Sequence, residues 1–149
     1  MSNAFVNETV LVTGGLGFMG SNFIRHILSQ KHFVGKVINL DSVSYAAHLD
    51  NVVEWEDDPR YQFVKGDIRD EGVLTRVQMA ESIDIIVHFA AETHVDRSIA
   101  FPKLFVDTNV YGTLELLEWV RKHPTVHFHL ISTDEVYGSL GLNGRFSED

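Results

Sequence analysis

The sequence predicts an α/β domain in which helices cover a doubly wound parallel sheet of strand order 3-2-1-4-5. Three observations predict this fold class. Short runs rich in Val, Ile and Phe are apolar on both faces, which is typical of strands covered on both sides. These runs alternate with longer stretches of helical periodicity, as right-handed βαβ units require. The first run leads directly into a glycine-rich turn, followed by a helical stretch.

Five strands and four helices are expected in alternation along the chain. The fourth helix is the clearest, because Val106, Val110, Leu114, Leu117 and Val120 recur at spacings of three and four. The expected strands are 9–14, 36–41, 61–66, 84–90 and 126–132. The expected helices are 18–30, about 46–56, 71–81 and 101–122.

Composition limits the classes of function. With 149 residues, of which 44% are hydrophobic, the chain matches one globular domain, residues 1–149. A net charge of −9 without a basic cluster disfavours nucleic acid and anionic membranes as partners. The absence of cysteine excludes disulfides and thiolate chemistry and fits a cytoplasmic location. His127 and His129 alternate on one strand without an evident third ligand, so no metal site is expected.

Glycines between the first strand and the first helix predict a dinucleotide site. Gly14 permits a tight turn, Gly17 lets the backbone approach a pyrophosphate, and Gly20 lets the helix pack against the sheet. The N-terminus of the helix offers free N–H groups to phosphates. Asp41 ends the second strand, where an acidic residue accepts hydrogen bonds from the adenosine ribose and repels a 2′-phosphate. The pattern therefore favours NAD over NADP.

Polar residues follow the later strands at the same expected edge of the sheet. Asp67 and Ile68 follow the third strand and could hold the adenine edge, with an ordinary helix cap as an equal alternative. Asp134 and Glu135 lie side by side after the fifth strand. A site that donates one proton and accepts another would use such a pair, whereas a solvated strand end is the plainer explanation.

The motifs resemble those of extended short-chain dehydrogenases/reductases, Rossmann-type enzymes, and specifically of nucleotide-sugar 4,6-dehydratases of the dTDP-glucose 4,6-dehydratase type. The motif "HVDRS" followed by "STDEVYG" is the narrowest, since related epimerases and decarboxylases generally lack the Asp-Glu pair. The motifs that carry the resemblance are "TGGLGFMGSNF", "NLD", "GDIRD", "HFAAETHVDRS", "TNVYGT" and "STDEVYG".

The resemblance implies NAD as cofactor and a nucleotide sugar, dTDP-glucose or UDP-glucose, as substrate. Thr93 and Thr133 would contact the sugar, and Thr133 would join the catalytic residues Asp134 (general acid) and Glu135 (general base). Oxidation at C4 would acidify the C5–H, which Glu135 removes while Asp134 protonates the departing C6 hydroxyl, before the hydride returns to C6. The implied cofactor residues are Gly14, Gly17, Phe18, Met19, Gly20, Asp41, Ser42, Ser44, Asp67, Ile68, Phe89, Ala90, Ala91, Glu92 and Thr108, with Asn109 nearby.

One part of the family pattern is missing. Such enzymes also use a Tyr-x-x-x-Lys pair on the helix after the fifth strand, and Asp149 precedes that helix. Tyr61 and Lys65 match the spacing, but on a strand they lie about 13 Å apart and cannot cooperate. The chain is therefore expected to be an N-terminal part, inactive alone, of an enzyme that forms homodimers and also has later strands and a substrate domain. A related epimerase or decarboxylase, or a non-catalytic NAD-binding module if Asp149 is the natural C-terminus, are the alternatives.

Overall fold

The structure is a computed structural model that describes residues 5–141 and 144–148, so Asp149 lies outside the described residues. It confirms the predicted fold, a five-stranded parallel sheet of order β3-β2-β1-β4-β5. The strands are β1 (Thr9–Thr13), β2 (Lys36–Asp41), β3 (Tyr61–Lys65), β4 (Ile85–His88) and β5 (His127–Leu130). The α-helices are α1 (Phe18–Leu28), α2 (Glu71–Ala80), α3 (Val95–Ala100), α4 (Pro102–Phe105) and α5 (Thr113–Lys122).

Strand register brings the ends of the three central strands together. Thr13, the last residue of β1, pairs with Leu40 of β2 on one side and with His88 of β4 on the other. The segments after these strands therefore begin at the same edge of the sheet. Because all the strands are parallel, this carboxyl edge collects the connections that can carry a ligand site.

Two apolar layers cover the sheet, one on each face. Val10, Leu11 and Val12 of β1 are fully buried, so the central strand is covered on both sides. One layer packs α2 and α5 around Leu11, and the other packs α1 around Val10 and Val12. The expectation of two covered faces is wrong for the two edge strands: Phe63 and Lys65 of β3 are exposed, and so are His127, His129 and Leu130 of β5.

The expected helix over 46–56 is wrong. The segment instead forms two short 3-10 turns, Leu49–Asn51 and Val53–Trp55. Contacts with the glycine turn and α1 shape it, since the Asn51 side chain donates to the Leu16 carbonyl oxygen at 2.9 Å and Arg25 pairs with Glu54 at 2.8 Å. Tertiary anchoring of this kind overrides a short helical pattern.

The expected long helix exists over Pro102–Lys122, but its middle, Val106–Gly112, is π-helical. The apolar stripe that predicted it is largely exposed, with Val106 at 47% and Val110 at 57%. The face that packs on the sheet carries Gly112, Leu116 and Trp119 instead. Helical spacing thus identifies the helix, whereas a different set of residues meets the core. The short helix α3 was not expected from the sequence.

Candidate cofactor site

A cavity of 350 Å³ opens at the carboxyl edge of the sheet, between the segments that follow β1, β2, β3 and β4. Every sequence-predicted cofactor residue except Phe18, Met19 and Gly20 lines it. The lining residues among the predicted set are Gly14, Gly17, Asp41, Ser42, Ser44, Asp67, Ile68, Phe89, Ala90, Ala91, Glu92 and Thr108. Residues that are distant in sequence therefore meet in one place.

The glycine turn needs glycine at its first position for two reasons. Gly14 has φ +72°, a conformation that favours glycine, and a Cβ there would lie 2.7 Å from the Ala90 backbone. Its amide donates to the Leu40 carbonyl oxygen at 2.9 Å, which ties the turn to β2. Gly20 was expected to pack α1 against the sheet. Its nearest neighbour is instead the backbone of Gly14, so it packs α1 against the glycine turn. Phe18 and Met19 are exposed in the first turn of α1, outside the set that lines the cavity.

Asp41 is buried at the end of β2 and organises the turns beside it. One carboxylate oxygen accepts the Leu16 amide at 3.0 Å and the other accepts the Val43 amide at 2.8 Å. Val43 has φ +58°, which is rare for a β-branched residue, so the carboxylate helps to hold a strained loop. Each oxygen keeps further capacity to accept a hydroxyl from the cavity.

Asp67 is tied to Arg69 by two side-chain bonds of 2.6 and 2.9 Å. The hydrogen bonds from the Arg69 guanidinium hold the pKa of the Asp67 carboxyl below its usual range. The helix-cap alternative for Asp67 is wrong, because Asp70 caps α2 by accepting the amide of Gly72 at 2.9 Å. Asp67 and Ile68 both line the cavity, and their contact with adenine stays a prediction.

Glu92 is held by the π-helical segment. The Asn109 side chain accepts the Glu92 amide and donates to the Glu92 carbonyl oxygen, both at 2.8 Å. These two hydrogen bonds satisfy the backbone of Glu92 in the way that a neighbouring strand would. The buried Oε2 of Glu92 has no hydrogen-bond partner among the described residues. The carboxylate therefore offers an acceptor to a ligand in the cavity.

His88 lies beneath the cavity at the end of β4. Its Nδ1 lies 2.6 Å from Thr13 Oγ1 and its Nε2 lies 3.1 Å from Thr113 Oγ1. Thr13 Oγ1 in turn accepts the Ala90 amide at 3.3 Å. Burial lowers the pKa of His88 to about 4, so the ring is neutral at pH 7. Sequence analysis assigned no role to this buried network.

The predicted substrate and catalytic residues lie outside the cavity lining. Asp134 and Glu135 are exposed on a 3-10 turn, Asp134–Tyr137, that follows β5, and Thr133 directly precedes it. Thr93 is also exposed. All four follow the carboxyl ends of β4 and β5, on the same side of the sheet as the cavity. Their chemical roles stay predictions.

Other residues have structural roles. Tyr61 is buried in β3, where its hydroxyl accepts the Asn39 side-chain amide at 2.9 Å and burial raises its pKa, so it forms no functional pair with Lys65.

Within residues 5–141 and 144–148, no group of three or more His, Asp or Glu side chains could hold a metal ion. Among the helices that the structure describes, none is long and apolar enough to cross a membrane.

A larger cavity of 610 Å³ lies between α2 and α5. It is bordered by the charged side chains of Glu115, Glu118 and Lys122, and Ile68 is the predicted site residue that it shares. Neither the glycine turn nor Asp41 reaches it. The cavity at the carboxyl edge is therefore the candidate site.

The structure adds residues to the site that sequence analysis missed. Tyr45, Arg97 and Leu104 line the same cavity, as do Ala46 and Ala47. Arg97 belongs to the "HVDRS" motif, which could have indicated it, but the motif carried no role for that residue. Nothing in the local pattern around Tyr45 signals a ligand.

Comparison with known proteins shows which proteins share these features. The sequence model described as GDP-mannose 4,6 dehydratase matches residues 11–149. A dTDP-glucose 4,6-dehydratase of Xanthomonas campestris pv. campestris (strain B100) is 44% identical over 94% of this chain, and the chain spans 42% of that protein's length.

Solved structures give the same picture. A crystal structure of dTDP-glucose 4,6-dehydratase from Bacillus anthracis in complex with NAD is 46% identical, with a TM-score of 0.84 over 95% of this chain and 43% of its own. A UDP-glucose 4-epimerase from Bifidobacterium longum in complex with NAD+ and UDP is 34% identical, with a TM-score of 0.75 over 87% of this chain and 38% of its own.

Proposed function

Because the chain belongs to the GDP-mannose 4,6 dehydratase family, we propose that it binds NAD at the carboxyl edge of its sheet. We further propose that residues 1–149 are the NAD-binding part of a nucleotide-sugar 4,6-dehydratase that acts on dTDP-glucose. The observation that carries the proposal is the single cavity shared by the glycine turn, Asp41 and the segment after β4. The 46% identity with the NAD complex of a dTDP-glucose 4,6-dehydratase supports the substrate class.

The residues present fit a dinucleotide. The turn at Gly14 offers backbone where a side chain would collide with Ala90, Asp41 keeps acceptor capacity for ribose hydroxyls, and Glu92 has an unused buried oxygen. Gly14, Gly17 and the N-terminus of α1 would hold the pyrophosphate. Asp41, Ser42 and Ser44 would hold the ribose.

The proposed reaction removes water from the sugar. When bound, NAD⁺ would supply a hydride acceptor for the oxidation of C4, and the same hydride would be available for C6. Glu135 would remove the proton at C5, which the C4 ketone acidifies, and would give it back to C5 when the hydride adds to C6. Asp134 would protonate the C6 hydroxyl so that it leaves as water. Positioned general acids and bases are worth about 10²–10⁴-fold each.

Two isosteric variants of the complete gene product test this assignment. Glu135→Gln and Asp134→Asn should still reduce NAD in the presence of dTDP-glucose, because neither residue takes part in C4 oxidation. Loss of water should fall by about 10²-fold or more in each variant. The reduced-cofactor absorbance should therefore rise and stall, while 4-keto-6-deoxy product is absent. Unchanged turnover in both variants would remove the acid–base assignment.

A related epimerase or decarboxylase is the competing proposal. The 34% identity with a UDP-glucose 4-epimerase keeps it open, whereas Asp134 and Glu135 disfavour it. Incubation of the complete gene product with dTDP-glucose and UDP-glucose separates the two. A 4-keto-6-deoxy product supports the dehydratase, and an inverted C4 with no loss of water supports the epimerase. Binding of NAD without either product would leave a decarboxylase, which needs a sugar that carries a carboxylate, or a non-catalytic module.

The proposal includes a homodimer in the cytoplasm. An apolar stripe along the helical span Pro102–Lys122 is exposed and could be covered by a second copy of the chain. Its members are Val106, Val110, Tyr111, Leu114 and Leu117. A chain that depends on no disulfide suits a reducing compartment.

A further inference from the structure

We propose that Arg97 is an additional binding residue of the cofactor site and that its guanidinium donates to the pyrophosphate of the dinucleotide. The inference rests on the proposed function, since it concerns the same cavity. Its basis is the position of Arg97 above the glycine turn, its unpartnered buried nitrogen and the distribution of charge around the cavity.

The position follows from the sheet order. Arg97 lies on α3, which follows β4, and its guanidinium carbon stands 3.9 Å from the ring centroid of Tyr45 in the loop after β2. Because β1 lies between β2 and β4, a contact between these two segments must cross the carboxyl end of β1. Gly14 begins the glycine turn at that point. The Arg97–Tyr45 contact therefore bridges the place where a pyrophosphate would lie.

The Arg97 side chain is held but not satisfied. Tyr45 lies at 3.9 Å, a distance typical of a cation–π contact, and the Phe101 ring centroid lies at 6.0 Å. The Nε–H is buried and has no hydrogen-bond acceptor within the part of the chain that the structure describes. A buried donor without an acceptor costs free energy, and an oxygen of a ligand in the cavity would remove that cost.

A phosphate needs a cation, and the cavity lining also holds the carboxylates of Asp41, Asp67 and Glu92. Two cationic side chains, Arg69 and Arg97, occur among the described residues that line the cavity. Arg69 is engaged by both carboxylate oxygens of Asp67, at 2.9 and 2.6 Å. Arg97 thus remains to balance a diphosphate, and a planar guanidinium matches phosphate oxygens well. The plainer alternative is that Arg97 only braces α3 against Tyr45.

Ligands of increasing length separate these two roles. Calorimetry would measure the affinity of the protein, freed of bound nucleotide, for NAD and for ADP, and competition with NAD would measure adenosine. Arg97→Met keeps the length of the side chain but removes its charge and donors. We expect it to weaken NAD and ADP by about tenfold or more and to leave adenosine unchanged. Arg97→Lys should recover part of the loss, because it restores charge without the planar donor fork.

Two further variants complete the design. Tyr45→Leu should weaken ADP but not adenosine, since it removes the support of the guanidinium, whereas Tyr45→Phe keeps the ring and should change neither affinity. Arg76→Met, at an exposed arginine on α2, is the matched control and should bind all three ligands like the unmodified protein. Circular dichroism would establish that each variant is folded.

The outcomes are distinct. An unchanged ADP affinity in Arg97→Met, or an equal loss for ADP and adenosine, would overturn the phosphate contact and leave the bracing role. If Arg97→Met gives either of these results and the unmodified protein binds NAD, only this inference fails. If the unmodified protein binds none of the three ligands, the proposed function fails with it.

Discussion

At the scale of single residues, Asp41 combines a structural role with a proposed role in recognition. Its carboxylate accepts the amides of Leu16 and Val43 and faces the cavity. Asp41→Asn should weaken NAD by about 1–3 kcal/mol, because charge-assisted hydrogen bonds to the ribose are lost. Discrimination against NADP should also relax, since the negative charge that repels a 2′-phosphate is gone. Calorimetry with both cofactors checks this, with the exposed Asp50→Asn as control.

The ribose assignment would be wrong if the unmodified protein bound NAD and NADP equally well. Loss of folding in Asp41→Asn would be visible by circular dichroism. The amide oxygen can still accept one of the two backbone N–H groups, so the fold should survive the change with some loss of stability.

His88 should make the fold sensitive to acid. Burial lowers the pKa of its ring from 6.5 to about 4. Between pH 6.5 and pH 4 this histidine is therefore protonated in the unfolded chain but neutral in the folded chain. The contribution of the neutral His88 ring to the free energy of unfolding is complete above pH 6.5 and is lost as the pH falls toward 4. Urea unfolding at pH 7 and pH 5 should show a loss of about 2 kcal/mol from this residue.

A non-titrating variant isolates the effect. His88→Gln keeps a side chain that can donate and accept, and the part of the pH dependence that arises from His88 should disappear. His32→Gln, at an exposed position, is the matched control and should keep the slope of the unmodified protein. An identical slope in His88→Gln would refute the assignment.

The position of a site residue was predictable where one residue type has one dominant use. Glycine in the turn and an acidic residue at the end of β2 are examples, and both line the cavity. The partners of Asp67, His88 and Arg97 were not predictable, because each is fixed by a side chain whose position depends on the tertiary structure. Even Arg69, two residues from Asp67, could equally have pointed to solvent.

At the scale of elements, Asn109 couples the π-helical segment to the segment after β4. Asn109→Leu has a similar volume but leaves the amide and carbonyl of Glu92 without their partner. We expect a loss of about 2–4 kcal/mol in the free energy of unfolding, measured in urea, and a weaker affinity for NAD. The carboxylate of Glu92, which the pair positions, would no longer be held.

A second variant tests the geometry of that pair. Asn109→Asp can accept the Glu92 amide but cannot donate to its carbonyl oxygen, so it should recover less than half of the loss. Asn22→Leu, on the exposed face of α1, is the control and should change stability by less than about 0.5 kcal/mol. If Asn109→Leu were as stable as the control, the coupling would be negligible.

The strands and most helices were predictable in kind and order, whereas the helix expected over 46–56 and the unexpected α3 were not. Periodicity identified α1, α2 and the span Pro102–Lys122, since a helix must place apolar residues at regular spacing. It did not reveal which stripe of that span meets the sheet. The face of the span that meets the sheet is set by the close approach of Gly112 to Ile68. Because a glycine contributes nothing to a hydrophobic pattern, periodicity cannot reveal that face.

At the scale of the whole molecule, the exposed stripe on the span Pro102–Lys122 predicts self-association. Val110→Lys places a charge in the middle of the stripe and should shift the protein from dimer toward monomer. Met79 on α2 is 84% exposed outside the stripe, so Met79→Lys is the matched control and should leave the mass unchanged. Light scattering after size-exclusion chromatography gives the mass of each. A monomeric unmodified protein at all concentrations would contradict the homodimer.

Sheet order was predictable because parallel strands with right-handed connections allow few arrangements. That order alone brings Gly14, Asp41 and Ala90 to one edge. The same rule places Asp134 and Glu135 at that edge of the sheet, but it does not give the direction in which the side chains of a turn point. The distance of a side chain from a cavity is set by contacts that no short-range pattern contains.

The π-helical segment has a consequence for how this chain tolerates insertions and deletions. An α-helix advances by 3.6 residues per turn, so each residue rotates the face by about 100°. An in-frame loss of the codon for Val110 would let the span become an uninterrupted α-helix with normal hydrogen bonds. Everything before the deletion, including Thr108 and Asn109, would then turn by about that angle relative to α5. The extra residue of the π-helical segment therefore sets the angle at which the side of this helix that carries Leu104 and Thr108 faces the cavity.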